Sequence, residues 1–312
     1  MANIICGVDV SSKTWDGRIG LKGPSICVEA TSQGADRLLA FCREHKVDLV
    51  VMEATGGYEK LLFSLLWARG MPCAIVNPRS VRRFAEALGY LEKTDRIDAG
   101  VIARFAEVKG VVAQEPEGAS QEKLRAMNKR LRQLTELVVN QTNQRRLVDD
   151  AEVRASFAEI ITVVRRQIRQ LEKQIGELLQ NDPLWQDLDE AFRSIKGVAD
   201  RTVTRVLAEM PEIGTYSNKA IAKLAGLAPL ARDSGKHKGK RTIGGGRADV
   251  RSILVLVAGV VRRHDPEFEA FHQRLIDAGK PKMVARVAEA RKLLIKLNAK
   301  ARDVRKAHAL AA

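Results

Sequence analysis

Ile4-Ile5-Cys6-Gly7-Val8-Asp9-Val10 is an apolar run of strand length with one charge inside it. Asn3 to Val10 therefore reads as a buried strand, and a carboxylate in such a strand is costly unless it is paired or bound to a cation. Asp16 to Leu21 and Ser25 to Ala30 read as partner strands joined by the Lys22-Gly23-Pro24 turn. Ser32 or Asp36 starts a helix with Leu38, Leu39 and Phe41 on its apolar side. Asp48 to Glu53 is the next strand, Tyr58 to Arg69 a helix stopped by Gly70, and Pro72 to Val76 another strand. From Ser80 to about Val108 the pattern is helical. Three hairpin-connected strands followed by alternating strands and helices predict an α/β domain with a ribonuclease-H-like mixed sheet. A doubly wound nucleotide-binding sheet fits less well, because no G-x-G-x-x-G follows the first strand.

Val111 to Gly118, with Pro116 and Gly118, reads as a linker into an all-α remainder. Leu124, Met127, Leu131, Leu134 and Val138 step by three and four, as do Phe157, Ile161, Val164, Ile168, Leu171, Ile175 and Leu178. That is the period of a coiled coil. An intramolecular helical hairpin and a dimerising coiled coil fit it equally well. Asn181-Asp182-Pro183 stops the second series. Ile195-Lys196-Gly197-Val198-Ala199, followed by a helix from Thr202 to Met210, resembles a helix-hairpin-helix element whose first amides suit a phosphate. A helix from Lys219 to Leu227, a Gly-rich loop from Ala231 to Gly246, and helices at Asp249 to Arg263, Pro266 to Ala278 and Lys282 to about Ala309 complete the chain. The expected divisions are residues 1–112, a helical coiled-coil region at 119–182, and a mainly helical domain at 185–312.

Composition narrows the partner. Against 38 acidic residues stand 53 Lys and Arg, a net charge of +15, which points to a polyanion such as nucleic acid. Aromatics make up only 4%, which argues against a base-stacking platform. Cys6, Cys27, Cys42 and Cys73 show no CxxC spacing and lie in or beside apolar stretches. They read as buried thiols in a reducing compartment and not as a zinc site. No charged-then-apolar leader and no apolar run of membrane-span length is present, so the expected location is cytoplasmic, nucleoid-associated when bound to DNA, with no membrane partner.

Two constellations carry chemistry. The first is Asp9, Glu53 at the end of Leu49-Val50-Val51-Met52-Glu53, and Asp95 and Asp98 in Lys93-Thr94-Asp95-Arg96-Ile97-Asp98-Ala99. Residues three apart share a helical face. Phosphodiester chemistry must activate a nucleophile and stabilise a departing alkoxide, and a pair of divalent ions on carboxylates does both. Mg2+ takes oxygen ligands and keeps its waters, so these four acids suffice without His or Cys. The second constellation is Arg232-Asp233-Ser234-Gly235-Lys236-His237-Lys238-Gly239-Lys240-Arg241. A serine is a poor nucleophile unless its proton is removed and its target phosphate neutralised. Local sequence alone favours a loop that contacts nucleic acid through Arg232, Lys236, Lys238, Lys240 and Arg241, its serine only donating a hydrogen bond. Gly244-Gly245-Gly246-Arg247 is not a P-loop, since no Gly-Lys-Ser/Thr follows. Lys292, Lys296, Lys300, Arg302, Arg305 and Lys306 give the last helix a basic character.

The opening Gly7-Val8-Asp9-Val10, Glu53-Ala54-Thr55-Gly56-Gly57 and Lys93-Thr94-Asp95-Arg96-Ile97-Asp98-Ala99 resemble the acidic motifs of the DEDD transposases. These are the one-ten family of insertion sequences, with their Piv-type DNA invertase relatives. Ile195-Lys196-Gly197-Val198, Leu224-Ala225-Gly226-Leu227-Ala228-Pro229, Ser234-Gly235 and Val250-Arg251 resemble that family's C-terminal half. The resemblance implies a RuvC-like catalytic domain in which Asp9, Glu53, Asp95 and Asp98 bind magnesium, a coiled coil, and a transposase domain whose Ser234 forms a covalent link to DNA. It reverses the local reading of Ser234 in favour of the nucleophile. It further implies donor and target DNA as substrates, a structured guide (bridge) RNA, and assembly as a homodimer or tetramer. Arg247 and Arg251 join the residues expected to contact nucleic acid. The rivals are a metal-dependent nuclease of the Holliday-junction-resolvase type, with water as nucleophile, and a non-catalytic nucleic-acid scaffold.

Overall fold

A computed structural model of the chain describes residues 3–90, 95–231, 233–235, 237–239 and 241–311, with the backbone alone at 95–97, 237, 238 and 311. The chain forms two compact units, residues 1–117 and 118–312.

The first unit is built on a five-stranded sheet in the order β3-β2-β1-β4-β5. Strands β1 (Ile5–Val10), β2 (Thr14–Ile19) and β3 (Ser25–Glu29) form an antiparallel meander, and β4 (Leu49–Glu53) and β5 (Cys73–Val76) add parallel to β1. This is the ribonuclease-H-like order that the strand pattern predicts. Helices cover both faces, which explains why β1 and β4 read as near-continuous apolar runs instead of alternating ones. On one face Cys6, Val8, Val10, Val50 and Met52 pack with Leu38, Leu39, Leu62 and Leu66 of α1 (Ser32–Glu44) and α2 (Glu59–Trp67). On the other, Ile5, Leu49, Val51, Ala74 and Val76 pack with α3 (Pro78–Ala87) and α4 (Asp95–Lys109), through Val81, Ala85, Val101, Ile102, Ala103 and Ala106. The helical stretch expected from Ser80 onward is thus two helices.

Cys6, Cys42 and Cys73 are buried, and burial pushes the Cys73 thiol up to about 12, so it stays protonated. Cys27 is exposed, contrary to expectation, because β3 is an edge strand and period-two alternation turns Cys27 away from the face that buries Val28.

The second unit is helical: α5 (Ala119–Arg145), α6 (Ala151–Gln180), α7 (Pro183–Arg193), α8 (Asp200–Glu209), α9 (Asn218–Leu224), α10 (Ala248–Arg262), α11 (Pro266–Asp277) and α12 (Lys282–Ala311). Asp150, Asp182 and Ser217 cap α6, α7 and α9 by accepting from backbone amides of the first turn. The two long helices α5 and α6 pack on each other within the chain. Their apolar seam does not stand alone: Leu131, Leu134, Val164, Ile168 and Ile175 belong to one cluster with Trp185, Leu188, Phe192, Leu254, Leu293 and Leu297. Among the described residues no helix is long and apolar enough to cross a membrane.

Candidate active site

Alternation along β1 and β4 decides where the acids fall. Ile5 and the Leu49–Val51 pair face α3 and α4, so Gly7, Asp9 and Glu53, at steps of two, face the same way. Val8 and Met52 are the last registered pair of these parallel strands, and Asp9 and Glu53 follow it at adjacent strand ends. What brings α4 over them is the lack of a side chain at Gly7. A Cβ there would stand 2.1 Å from the Ala99 carbonyl oxygen and 2.5 Å from the Ala103 nitrogen. Gly100 is seated in the same way, its absent Cβ being 2.5 Å from the Leu21 carbonyl oxygen. The small residues Ala99, Gly100 and Ala103 therefore lay the backbone of α4 on the sheet, and Asp98 comes with it.

Asp9, Glu53 and Asp98 line a single cavity of about 640 Å³. The side chain of Asp95, at the first turn of α4, lies outside the described residues. Among the described residues no group of three carboxylate, imidazole or thiolate side chains is close enough to hold an ion. The chemistry of the donors nonetheless fits a hard divalent cation, because every acid on this cavity offers oxygen alone.

Glu53 is held by a loop whose sequence now has a physical reading. Gly56 and Gly57 adopt φ of 67° and 117°, a conformation that a residue with a Cβ rarely takes. The buried carboxylate of Glu59 accepts from the amides of Thr55 and Gly57, both at 2.9 Å, and the Thr55 hydroxyl donates to the Glu53 carbonyl at 3.2 Å. Motif reading singles out Glu53 and the glycines but misses Glu59, whose only signal is a carboxylate two residues beyond a Gly-Gly turn.

Three further features of this unit escape the sequence. Asp16 is the cross-strand partner of Asp9, so the two side chains share a face. Arg79, Arg82 and Arg83 of α3 line the same cavity as the acids. They follow Asn77, whose side chain caps α3 by accepting from the Arg79 amide at 2.9 Å.

Ser234 lies in the second unit, in what the sequence presents as a loop. Its flanks instead form a short hairpin: β6 (Asp233–Ser234) pairs antiparallel with β7 (His237–Lys238), and below it the Leu230 amide donates to the Thr242 carbonyl at 2.8 Å. Polar residues on both sides of a two-stranded ribbon leave no apolar alternation to read. The turn contains Gly235 at φ 54°, and Ser234 is exposed. Arg232, Lys236 and Lys240 lie outside the described residues, as does the side chain of Lys238.

The remaining cations expected to contact nucleic acid have protein partners. Arg241 pairs with Asp233 at 2.8 Å. Arg247 makes two hydrogen bonds of 2.6 Å to Glu212. Burial alone would raise the Glu212 carboxyl, but these bonds overcome it and hold the group below its usual value. Arg251 donates to the Gly245 carbonyl at 2.7 Å. The Gly-rich segment is a packing device, since a Cβ on Gly246 would stand 2.4 Å from the Gly226 nitrogen. On α12, Lys292 and Lys296 pair with Glu267 and Asp265, both at 3.0 Å. Arg305 donates to the Ile213 and Pro211 carbonyls. The Gly197 turn between α7 and α8 packs against the backbone of Val261, and Asp200 at the start of α8 pairs with Arg193. A carboxylate there occupies the anion-favouring end of that helix.

The chain is similar to known proteins over most of its length. A DEDD transposase family model of the IS110 type, described as a transposase, matches residues 6–148. A second, described as transposase IS116/IS110/IS902 family, matches residues 189–273. The pilin gene-inverting protein of Moraxella bovis is 28% identical over 305 residues, covering 94% of each chain. That of Moraxella lacunata is 27% identical over the same length and coverage. An uncharacterized 43.6 kDa protein of insertion element IS110 from Streptomyces coelicolor is 31% identical over 150 residues, covering 47% of this chain and 36% of that one. Among solved structures, Thermus thermophilus RuvC in complex with Holliday junction substrate is 13% identical with a TM-score of 0.27, covering 35% of this chain and 98% of that one.

Proposed function

Because the chain belongs to the IS110 family of DEDD transposases, an enzyme family of DNA recombination, we propose that it cuts and rejoins DNA through a serine-linked intermediate. Asp9, Glu53, Asp95 and Asp98 hold divalent metal, magnesium by the all-oxygen character of the set. Bound there, the metal supplies Lewis-acid polarisation of the phosphate and stabilises the departing sugar oxygen. The hydroxyl of Ser234 attacks the phosphorus, the bond to the leaving sugar oxygen breaks, and that oxygen takes up a proton. A new 3′ or 5′ hydroxyl then reverses the step on another strand and regenerates the serine. This keeps the energy of the phosphodiester in a covalent bond, which recombination requires and hydrolysis does not. A guide RNA selects the donor and target sites, and the chain acts as a dimer or tetramer, the α5–α6 pair contributing to assembly.

The observation that carries the proposal is the common cavity of Asp9, Glu53 and Asp98 at the strand ends of the sheet. The relatives that span nearly the whole chain are named for inverting a pilin gene, which is strand exchange and not simple cutting. The test incubates full-length protein with cognate DNA, magnesium and co-purified RNA, and maps any DNA-linked peptide by mass. The expected result is a link at Ser234, lost in Ser234→Ala, and no cleavage by Asp9→Asn. Cleavage that persists in Ser234→Ala without an adduct would establish instead the metal-dependent nuclease with water as nucleophile.

A further inference from the structure

Helix α3 places a basic stripe beside the acids. Val81 and Ala85 face inward and are buried in the core against the sheet. Arg79, Arg82, Arg83 and Glu86, at steps of three, four and seven, line the cavity that holds Asp9, Glu53 and Asp98, together with Val81 and Ala85. Arg82 reaches Glu86 at 3.3 Å. Arg79 and Arg83 are exposed, and among the described residues neither has a carboxylate within ion-pair distance. The first-turn amides of α3 do not compete for an anion. The Arg79 amide goes to the Asn77 side chain, and those of Ser80 and Val81 go to the Asn77 carbonyl.

Guanidinium groups with no described carboxylate in reach, exposed on the wall of an acidic cavity, have one fitting ligand class. A phosphodiester offers the paired oxygens that match their planar fork, and it is the group that the acids are arranged to act on. We propose that Arg79 and Arg83, flanked by Arg82, grip the nucleic-acid backbone next to the bond to be cut and so are positioning residues. This rests on the function proposed above for the acidic cavity.

The experiment measures binding of a short labelled duplex of arbitrary sequence to the full-length protein, without metal, over a range of salt. Each phosphate contact contributes a slope of about 0.9 in log K against log salt. Arg79→Ala/Arg83→Ala should therefore flatten the slope by about 1.8, so that between 50 and 200 mM salt the variant loses about twelvefold less affinity than the wild type. Its unfolding midpoint should be unchanged. Arg37→Ala, exposed on α1 against the other face of the sheet, should leave the slope as it is. If the alanine pair fails to fold, Arg79→Gln/Arg83→Gln keeps the aliphatic stems and reads the same slope. A wild-type slope in the folded double variant, or an equal flattening by Arg37→Ala, overturns the grip. Asp9→Asn separates the two proposals: it should abolish cleavage and keep the wild-type slope. Persistent cleavage there refutes the acidic site and leaves the slope comparison standing.

Discussion

Substituting Gly7 by alanine tests the contact that brings Asp98 to Asp9. The added methyl would stand 2.1 Å from the Ala99 carbonyl oxygen, where ordinary contact begins near 3.4 Å, so α4 must retreat by roughly 1.3 Å. Both close atoms are helix backbone and neither can rotate away. Inserting one methylene-sized group into a packed core costs about 1–3 kcal/mol, and the two backbone contacts place Gly7→Ala at the upper end. The second consequence is chemical. Asp98 precedes Ala99 on the element that must move, and a misplacement of about 1 Å in a catalytic constellation costs on the order of a hundredfold in rate. Guanidinium denaturation should show the stability loss, and single-turnover DNA cleavage should show a rate loss exceeding what the unfolded fraction explains. Gly176→Ala is the control: Gly176 lies within α6, with nothing within 4 Å of its Cβ position. It should stabilise the protein by about 1 kcal/mol through helix propensity. If Gly7→Ala melts at the wild-type midpoint and cleaves at the wild-type rate, α4 is not seated by that glycine and the site is assembled in some other way.

Glu59→Ala leaves the Thr55 and Gly57 amides without their acceptor. It should cost about 3 kcal/mol and raise the metal concentration needed for half-maximal cleavage by loosening the loop that follows Glu53. A metal titration identical to wild type would remove Glu59 from the site. Glu212 supplies a pH dependence: its carboxyl is held below the ordinary value in the folded state. Its contribution is therefore fully present above the unfolded pKa, near 4.5, and is lost as pH falls through the lower folded value. Glu212→Gln should destabilise the protein by about 2 kcal/mol at neutral pH, with a smaller difference from wild type at the acid end of a series of urea melts. A pH-independent difference would show that Arg247 does not depend on the charge of Glu212.

The sheet was legible because its strands are short, buried and bounded by turn residues, whereas the common face of Asp9 and Glu53 emerges only from the strand register and packing. Asp9 and Glu53 stood out because a carboxylate in or at the end of an apolar run is costly to bury unless a cation meets it. Arg79 and Arg83 were not, since an arginine in an amphipathic helix reads as an ordinary solvated face until the fold shows what it overlooks. Asp16 was missed for the same reason: its relation to Asp9 exists only in the antiparallel register. The hairpin around Ser234 was read as a loop because pairing of polar strands leaves no periodic trace. Helix α7 was passed over because Pro183 marked the end of one helix and, as its first residue, also the start of another.

Net charge was the least local of the sequence signals, and the structure redistributes it. A balance of +15 predicts affinity for a polyanion but not where the polyanion lies. In the second unit many cations are joined to Asp or Glu: Arg132 to Asp249, Arg193 to Asp189 and Asp200, Arg201 to Glu172, Arg247 to Glu212, and Lys292 and Lys296 to the start of α11. Such a cation releases little counterion on binding DNA, because its carboxylate partner already compensates it. An exposed guanidinium with no carboxylate in reach contributes its whole charge. By that reasoning Arg79 and Arg83 weigh more in the salt dependence than Lys292 and Lys296 of α12. Phosphate affinity then follows the placement of charge that no described carboxylate compensates, and for Arg79 and Arg83 that placement is beside the acids.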